Sequence, residues 1–412
     1  MIKKTAIAFA TSILLGAGAS LTALPAAAAD APVKAEQVKS LPNIAILATG
    51  GTIASRGSGS LSLTDYGVGS GHKPVGIEVL TDAVPEIKNF ANITGEQIFN
   101  VGSSKLSVAN ELTLAKRINE FLAKKDVDGI VVTHGTDTLE ETAYFLNLVV
   151  KSDKPVVLVG SMRPATGLSA DGPLNLVNAV ALAASPEAKG KGVMVSMNDK
   201  IGSAFGVTKT NTTNVATFQC PDTGCLGIMQ NNKPFFFNIN TKRHTTNSEF
   251  DISKLNALPR VEINYASLGQ DGSLIRSMIK MGVKGIVSAG LGHGNVPDDV
   301  MEALKEAKKA GIKVVIASRV PTGMITPVGK FTREGFQSAM LHNPQKARIL
   351  LMMALTETDN DADIQRMFDQ YFFFFSLQEV AFSCSQSEGR LFLNWRTMPT
   401  ACQRLTSILS DN

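Results

Sequence analysis

Two short segments bring hydroxyl groups into a setting where hydroxyl chemistry is feasible. Residues 44–56, I-A-I-L-A-T-G-G-T-I-A-S-R, run from apolar residues into Thr49, Gly50, Gly51 and Thr52. Residues 131–141, V-V-T-H-G-T-D-T-L-E-E, set Thr136 and Asp137 directly after Gly135. A threonine hydroxyl is a weak nucleophile and needs both a neighbouring base and a turn that exposes it. Thr52 follows two glycines and has such a turn. Thr49 is its rival, but it ends the apolar run, where strand pairing ties it down. A threonine beside glycines also caps helices and shapes turns. Phosphate loops use the same residue types, but neither the Walker spacing nor the dinucleotide fingerprint is present. Asp137 suits a ligand ammonium group or a helix cap. Lys209, in V-T-K-T-N-T-T at 207–213, is the third candidate. Beside Thr136 and Asp137 it would ease alkoxide formation, or act as a base if buried. On a polar loop it is equally a solvated lysine.

The elements that must position these groups alternate along the chain. Runs at 44–48, 130–133, 156–159 and 193–197 are continuously apolar, the pattern of strands covered on both faces. Helical spacing fills 107–124, 138–149 and 174–184 between them, with Thr138 or Asp137 as the cap of the second helix. That alternation predicts an α/β domain with a mostly parallel sheet at 41–235. In such sheets the ligand-binding groups sit at the carboxyl ends of the strands. A polar stretch, 236–258, reads as a linker. A smaller α/β unit at 259–371 follows, with strands at 261–265, 285–289 and 314–317. Its helices are expected at 273–281, 298–310, 345–356 and 361–371.

Several function classes are disfavoured. A net charge of +4 over 412 residues gives no electrostatic case for nucleic acid or an anionic membrane surface as partner. The five histidines are scattered and form no cluster with cysteine, so no metal site is expected. Lys3 and Lys4, an apolar stretch at 5–24 and the small residues 26–29 read as a secretory signal peptide. Cleavage is expected after Ala29, with Ala27 and Ala28 as neighbouring choices, leaving a periplasmic protein with no membrane span. Cys220 and Cys225 would close a small loop in that compartment, or stand as two thiols; spacing does not decide. The segment 372–412 has four phenylalanines at its start and no sustained periodicity, and reads as an atypical extension.

T-G-G-T-I-A at 49–54 and D-G-I-V-V-T-H-G-T-D-T at 128–138 resemble the two signature motifs of bacterial L-asparaginases of the secreted type II class. The resemblance continues through G-S-M-R-P at 160–164, S-A-D-G-P-L-N-L at 169–176, T-K-T-N-T-T at 208–213, S-R-V-P-T-G at 318–323 and N-P-Q-K-A-R at 343–348. It implies two α/β domains, assembly as a homotetramer, no cofactor, and hydrolysis of L-asparagine through an acyl-enzyme. It further implies Thr52 as nucleophile, Tyr66 as its assistant, and Thr136, Asp137 and Lys209 as a second catalytic group. Ser103, with Ser104 and Gly51, is implied to bind substrate beside Thr136 and Asp137. The resemblance implies L-asparagine as the small-molecule substrate, with L-glutamine as a second amide.

The sequence departs from the family pattern at the ammonium end of the substrate. Family members bring an asparagine and a glutamate there from a neighbouring subunit. The matching positions hold Ser267 and Lys330. A lysine beside an ammonium group would repel it.

Overall fold

The structure, a computed structural model, describes residues 40–67 and 75–372. The signal peptide expected at 1–29 and nearly all of the extension expected at 372–412 lie outside the described residues.

The larger sheet has eight strands. They are β1 (Asn43–Gly50), β2 (Asn92–Val101), β3 (Gly129–Thr133), β4 (Val156–Val159), β5 (Val193–Met197), β6 (Lys200–Ser203), β9 (Gly227–Gln230) and β10 (Lys233–Phe236). Between β6 and β9 in sequence, β7 (Thr208–Lys209) and β8 (Phe218–Gln219) form a separate antiparallel pair. The eight strands lie in the order β10-β9-β6-β5-β4-β3-β1-β2. The five from β5 to β2 are parallel and the other three antiparallel, giving the expected mixed, mostly parallel sheet. β1, β3, β4 and β5 are buried almost throughout, which is why they read as unbroken apolar runs. β2 does not. It is an edge strand with a half-exposed, mixed pattern, and no alternation marks it in the sequence.

The helices of this part are α1 (Ile77–Asp82), α2 (Val108–Leu122), α3 (Leu139–Val149) and α4 (Gly172–Ala184). Ser107 caps α2 by accepting from the Asn110 N–H, and the Asn110 side chain reaches back to the Ser107 N–H. Thr138, one of the two expected caps, is the N-cap residue of α3, but neither its side chain nor that of Asp137 makes the capping bond. The Thr138 hydroxyl donates to the Ser103 carbonyl, and the Asp137 carboxylate pairs with Lys209.

The smaller sheet is fully parallel. It contains β11 (Val261–Tyr265), β12 (Gly285–Gly290), β13 (Lys313–Ser318) and β14 (Gln337–Ser338), in that order. Its helices are α5 (Ser273–Lys280), α6 (Asp298–Lys309), the short α7 (Gly329–Thr332), α8 (Pro344–Glu357) and α9 (Asp361–Phe372). The strand period of two divides its side chains between two cores. Ile286, Val314 and Ile316 join Ile275, Val300 and Leu304 on one face. Val287 and Val315 join Leu350 and the core of the larger sheet on the other. Each fully buried Val, Leu or Ile contributes about 1.5–3 kcal/mol.

The segment 236–258 is fastened to this frame. Phe250 and Ile252 are buried, Phe250 stacks on Tyr371 at 5.1 Å, and the Tyr371 hydroxyl accepts from the Glu249 N–H at 3.0 Å. Cys220 and Cys225 are joined as a disulfide, one of the two arrangements their spacing left open.

Candidate active site

The carboxyl ends of β1 and β3 are adjacent because the two strands pair in parallel register, Ala48 beside Thr133. Each then turns sharply at glycine. Gly50 and Gly51 hold φ of 104° and 85°, a region that side chains rarely enter. A Cβ on Gly51 would stand 2.2 Å from the Cα of Gly135, so the two glycines let the two turns touch.

Thr52 opens a short 3-10 turn, Thr52–Ala54, that Ser55 closes through its N–H to the Thr52 carbonyl at 2.9 Å. The Thr52 hydroxyl lies 3.0 Å from the Tyr66 hydroxyl. Tyr66 sits on the loop that returns to Gly57, and the next residue donates its N–H to the Arg56 carbonyl at 3.0 Å. Thr49, the rival, is tied down by its side chain: the buried hydroxyl donates to the Thr133 carbonyl at 2.9 Å.

On the β3 side, Lys209 reaches across from β7. Its ammonium donates to the Thr136 hydroxyl at 3.0 Å and to the Asp137 carboxylate at 2.8 Å. Asp137 remains largely exposed, with 63% of its side chain accessible, so one carboxylate oxygen is left for a ligand. Ser103 follows β2 and is buried beside Gly135. Its hydroxyl accepts the Asp137 N–H at 3.2 Å and keeps its own hydrogen to give away.

These groups share one cavity of about 230 Å³, whose lining includes Thr52, Tyr66, Ser103, Lys105, Thr136 and Asp137. Gly51 and Gly135 form part of its wall, and Lys209 approaches from behind Thr136. Ser104 is exposed and does not line it. The N–H groups of Thr52 and Thr136 meet no acceptor among the described residues. Such a cavity has a carboxylate for a cation, a serine and a lysine for an anion, and hydroxyls near free N–H donors.

Sequence reasoning missed two contributors. Lys105 is an ordinary surface lysine by pattern and lies on the rim only because β2 ends there. Lys346 is fully buried on α8 and donates to the carbonyls of Phe205 and Val207, the residues that lead into β7 and Lys209. Burial pulls its pKa down to about 8, while Glu140 and Glu141 push it up. Its place in the N-P-Q-K-A-R motif was the available signal.

Among the described residues no group of three or more His, Cys, Asp or Glu side chains is arranged to hold a metal ion, and no helix is long and apolar enough to cross a membrane.

The sequence model described as asparaginase, N-terminal, matches residues 43–242, and that of the glutaminase/asparaginase C-terminal domain matches 260–368. The chain belongs to the asparaginase family. It is 51% identical over 337 residues to the L-asparaginase 2 of Bacillus subtilis (strain 168), covering 82% of this chain and 88% of that protein. It is 45% identical over 359 residues to the glutaminase-asparaginase of Pseudomonas fluorescens biotype A, covering 86% and 97%. The crystal structure of a "Probable Cytoplasmic L-asparaginase" from Campylobacter jejuni superposes with a TM-score of 0.78 at 50% identity, over 81% of this chain and all of the other. The asparaginase fold therefore accounts for both sheets.

Against the asparaginase pattern, Ser267 is exposed at the end of β11, beside Tyr265 and Leu268 at 60% and 96% exposure. Lys330 lies on α7, where its ammonium donates to Asn295 and lies 4.7 Å from the Phe331 ring centre.

Proposed function

We propose that this asparaginase-family enzyme hydrolyses the side-chain amide of L-asparagine to L-aspartate and ammonia through an ester on Thr52, with some action on L-glutamine. The observation that carries the proposal is the meeting of two glycine–threonine turns in one cavity, with a proton-transfer partner on each. Tyr66 is 3.0 Å from the Thr52 hydroxyl, and Lys209 is 3.0 Å from the Thr136 hydroxyl.

The substrate is a zwitterion with one amide. Asp137 takes its ammonium group, and Ser103 with Lys105 takes its carboxylate. The Thr52 oxygen attacks the amide carbon as its proton passes to the Tyr66 hydroxyl, which gives its own hydrogen on toward the amide nitrogen. The Thr52 and Thr136 N–H groups face the resulting oxyanion, where fixed donors are worth most. The tetrahedral intermediate collapses as the amide nitrogen takes up a proton and leaves as ammonia. Water, oriented by Thr136 with Lys209 behind it, then attacks the ester, releases aspartate and returns the proton to Thr52. No cofactor is needed for any step.

A glutaminase-asparaginase of broad specificity is the second reading, favoured by the Pseudomonas fluorescens relative. One methylene usually changes discrimination by only ~1–3 kcal/mol. A non-catalytic amino-acid-binding protein is the third, and Thr52, Thr136 and Lys209 together argue against it, since a binder has no use for a nucleophile. Ammonia release by the purified protein, with asparagine and glutamine compared by kcat/KM, separates all three. No ammonia from either amide would leave only the binder.

The leader expected at 1–29 supports export to the periplasm, which cell fractionation and sequencing of the mature N-terminus test; an uncleaved chain starting at Met1, or retention in the cytoplasm, would count against it. Assembly as a homotetramer is what the family likeness leads us to propose; it would cover the exposed Tyr265 and Leu268, and light scattering on the purified protein tests it.

A further inference from the structure

Beneath the second motif lies a chain of three side chains, two buried and one half-buried, that the bond-breaking steps do not use. His134, at the end of β3, is fully buried, and its Nδ1 lies 2.7 Å from the Gly135 carbonyl oxygen. Its Nε2 lies 3.0 Å from the Thr142 hydroxyl on α3. That hydroxyl lies 2.7 Å from Oε1 of Glu111 on α2.

The hydrogen positions follow from what each atom can do. A carbonyl only accepts, so Nδ1 of His134 carries a hydrogen. Burial pulls the His134 pKa down to about 4, with the Gly135 bond opposing, so the ring is neutral and Nε2 is bare. Bare Nε2 needs a donor, and Thr142 is the one beside it. The chain is continuous when Thr142 gives its hydrogen to His134 and accepts from the carboxylic acid form of Glu111; when Glu111 is ionised, Thr142 donates to it instead and the bond to His134 lapses. The surroundings of Glu111 favour the acid. Burial raises its pKa to about 7 and Glu141 adds to the rise, while donation from Thr142 to the ionised form pulls the other way. Its Oε2 is buried without a partner. The charged groups that share its small cavity are Glu141 on α3 and Arg348 on α8.

The Gly135 carbonyl and the Thr136 N–H belong to one trans peptide, so they point in opposite directions. Fixing the carbonyl toward His134 fixes the N–H away from it, and this N–H meets no acceptor among the described residues. We propose that Glu111, Thr142 and His134 are positioning residues that clamp the Gly135 carbonyl and thereby aim the Thr136 N–H at the oxyanion formed during amide hydrolysis. The inference rests on the hydrolase reading of the cavity. A hydrogen bond made only to the oxyanion stabilises the transition state over bound substrate, so its loss falls on kcat rather than KM.

The test uses Thr142→Val, Thr142→Ser, Glu111→Gln and Glu111→Leu in the full-length enzyme, with kcat and KM for asparagine and a thermal melt for each. Thr142→Val is expected to lower kcat about tenfold to a hundredfold, with KM within about twofold of the parent. Thr142→Ser, which keeps the hydroxyl, restores most of the rate. Glu111→Gln keeps it, because the amide N–H still donates, and Glu111→Leu loses it. Parental kcat in Thr142→Val, a rise in KM at unchanged kcat, or a serine variant no better than valine would overturn the clamp. Should Thr142→Val not fold, equal kcat in the two Glu111 variants overturns it instead. A parent enzyme that releases no ammonia defeats the hydrolase reading; an active parent with indifferent variants defeats only the clamp.

Discussion

The Thr52 and Tyr66 hydroxyls stand 3.0 Å apart at the mouth of the cavity, although 14 positions separate them in sequence. This contact gives the weak threonine nucleophile an outlet for its proton. Replacing Tyr66 by Phe keeps the ring and removes the outlet. A loss in kcat of about a hundredfold is expected, in the range of proton-transfer assistance. KM for asparagine should change little. Steady-state kinetics on both amides checks it, and a variant with parental kcat would exclude Tyr66 from proton transfer.

Lys209 is held against Thr136 and Asp137 by its own ammonium group. Lys209→Met keeps the length and removes the charge. It should lower kcat for asparagine by about a hundredfold or more, as loss of a proton-transfer partner does. Lys209→Arg should not restore the rate, because a guanidinium does not release a proton near neutrality. Full recovery with arginine would show that the charge alone matters.

Asp137 keeps much of its carboxylate open to solvent and is the natural partner for a substrate ammonium. Hydrogen bonds to charged groups contribute about 1.5–3 kcal/mol. Asp137→Asn should therefore raise KM by about ten- to a hundredfold. The check is a saturation curve for asparagine. An unchanged KM would move the ammonium site elsewhere.

Much of this site was legible in the sequence because turns at strand ends leave local marks. The glycines at 50, 51 and 135 and the run of threonines are short-range signals, and the Thr49 hydroxyl, the rival of Thr52, is tied to the Thr133 carbonyl. What was not legible depends on long-range closure. β2 is an edge strand without alternation, and Lys105 reaches the cavity only because β2 ends there. Lys346 supports Lys209's strand from α8, 139 positions beyond Val207. Ser104, which the resemblance implied beside Ser103, is exposed and stands outside the cavity lining.

Acid should unfold the protein from a definite direction. Burial lowers the pKa of His134 to about 4 and that of His342 to about 3, below the ordinary 6.5. Both are neutral in the folded state, while the unfolded chain protonates them first. Their contribution is therefore complete above pH 6.5 and is lost as pH falls toward 4 and 3. Glu111 has the opposite sign: raised from 4.5 to about 7, it favours the folded state more as pH falls across that interval and partly offsets the histidines. Melting temperature should fall between pH 6.5 and 4, with net proton uptake on unfolding. A flat melting temperature across that window would mean that the histidines are solvated.

The central claim is that Thr52 carries the acyl group. Rapid quenching of the enzyme with asparagine, followed by peptide mass mapping, reads this directly. One aspartyl ester on the peptide containing Thr52, absent from an inactive Thr52→Ala variant, is the predicted result. An ester on Thr136, or full ammonia release by Thr52→Ala, would contradict it.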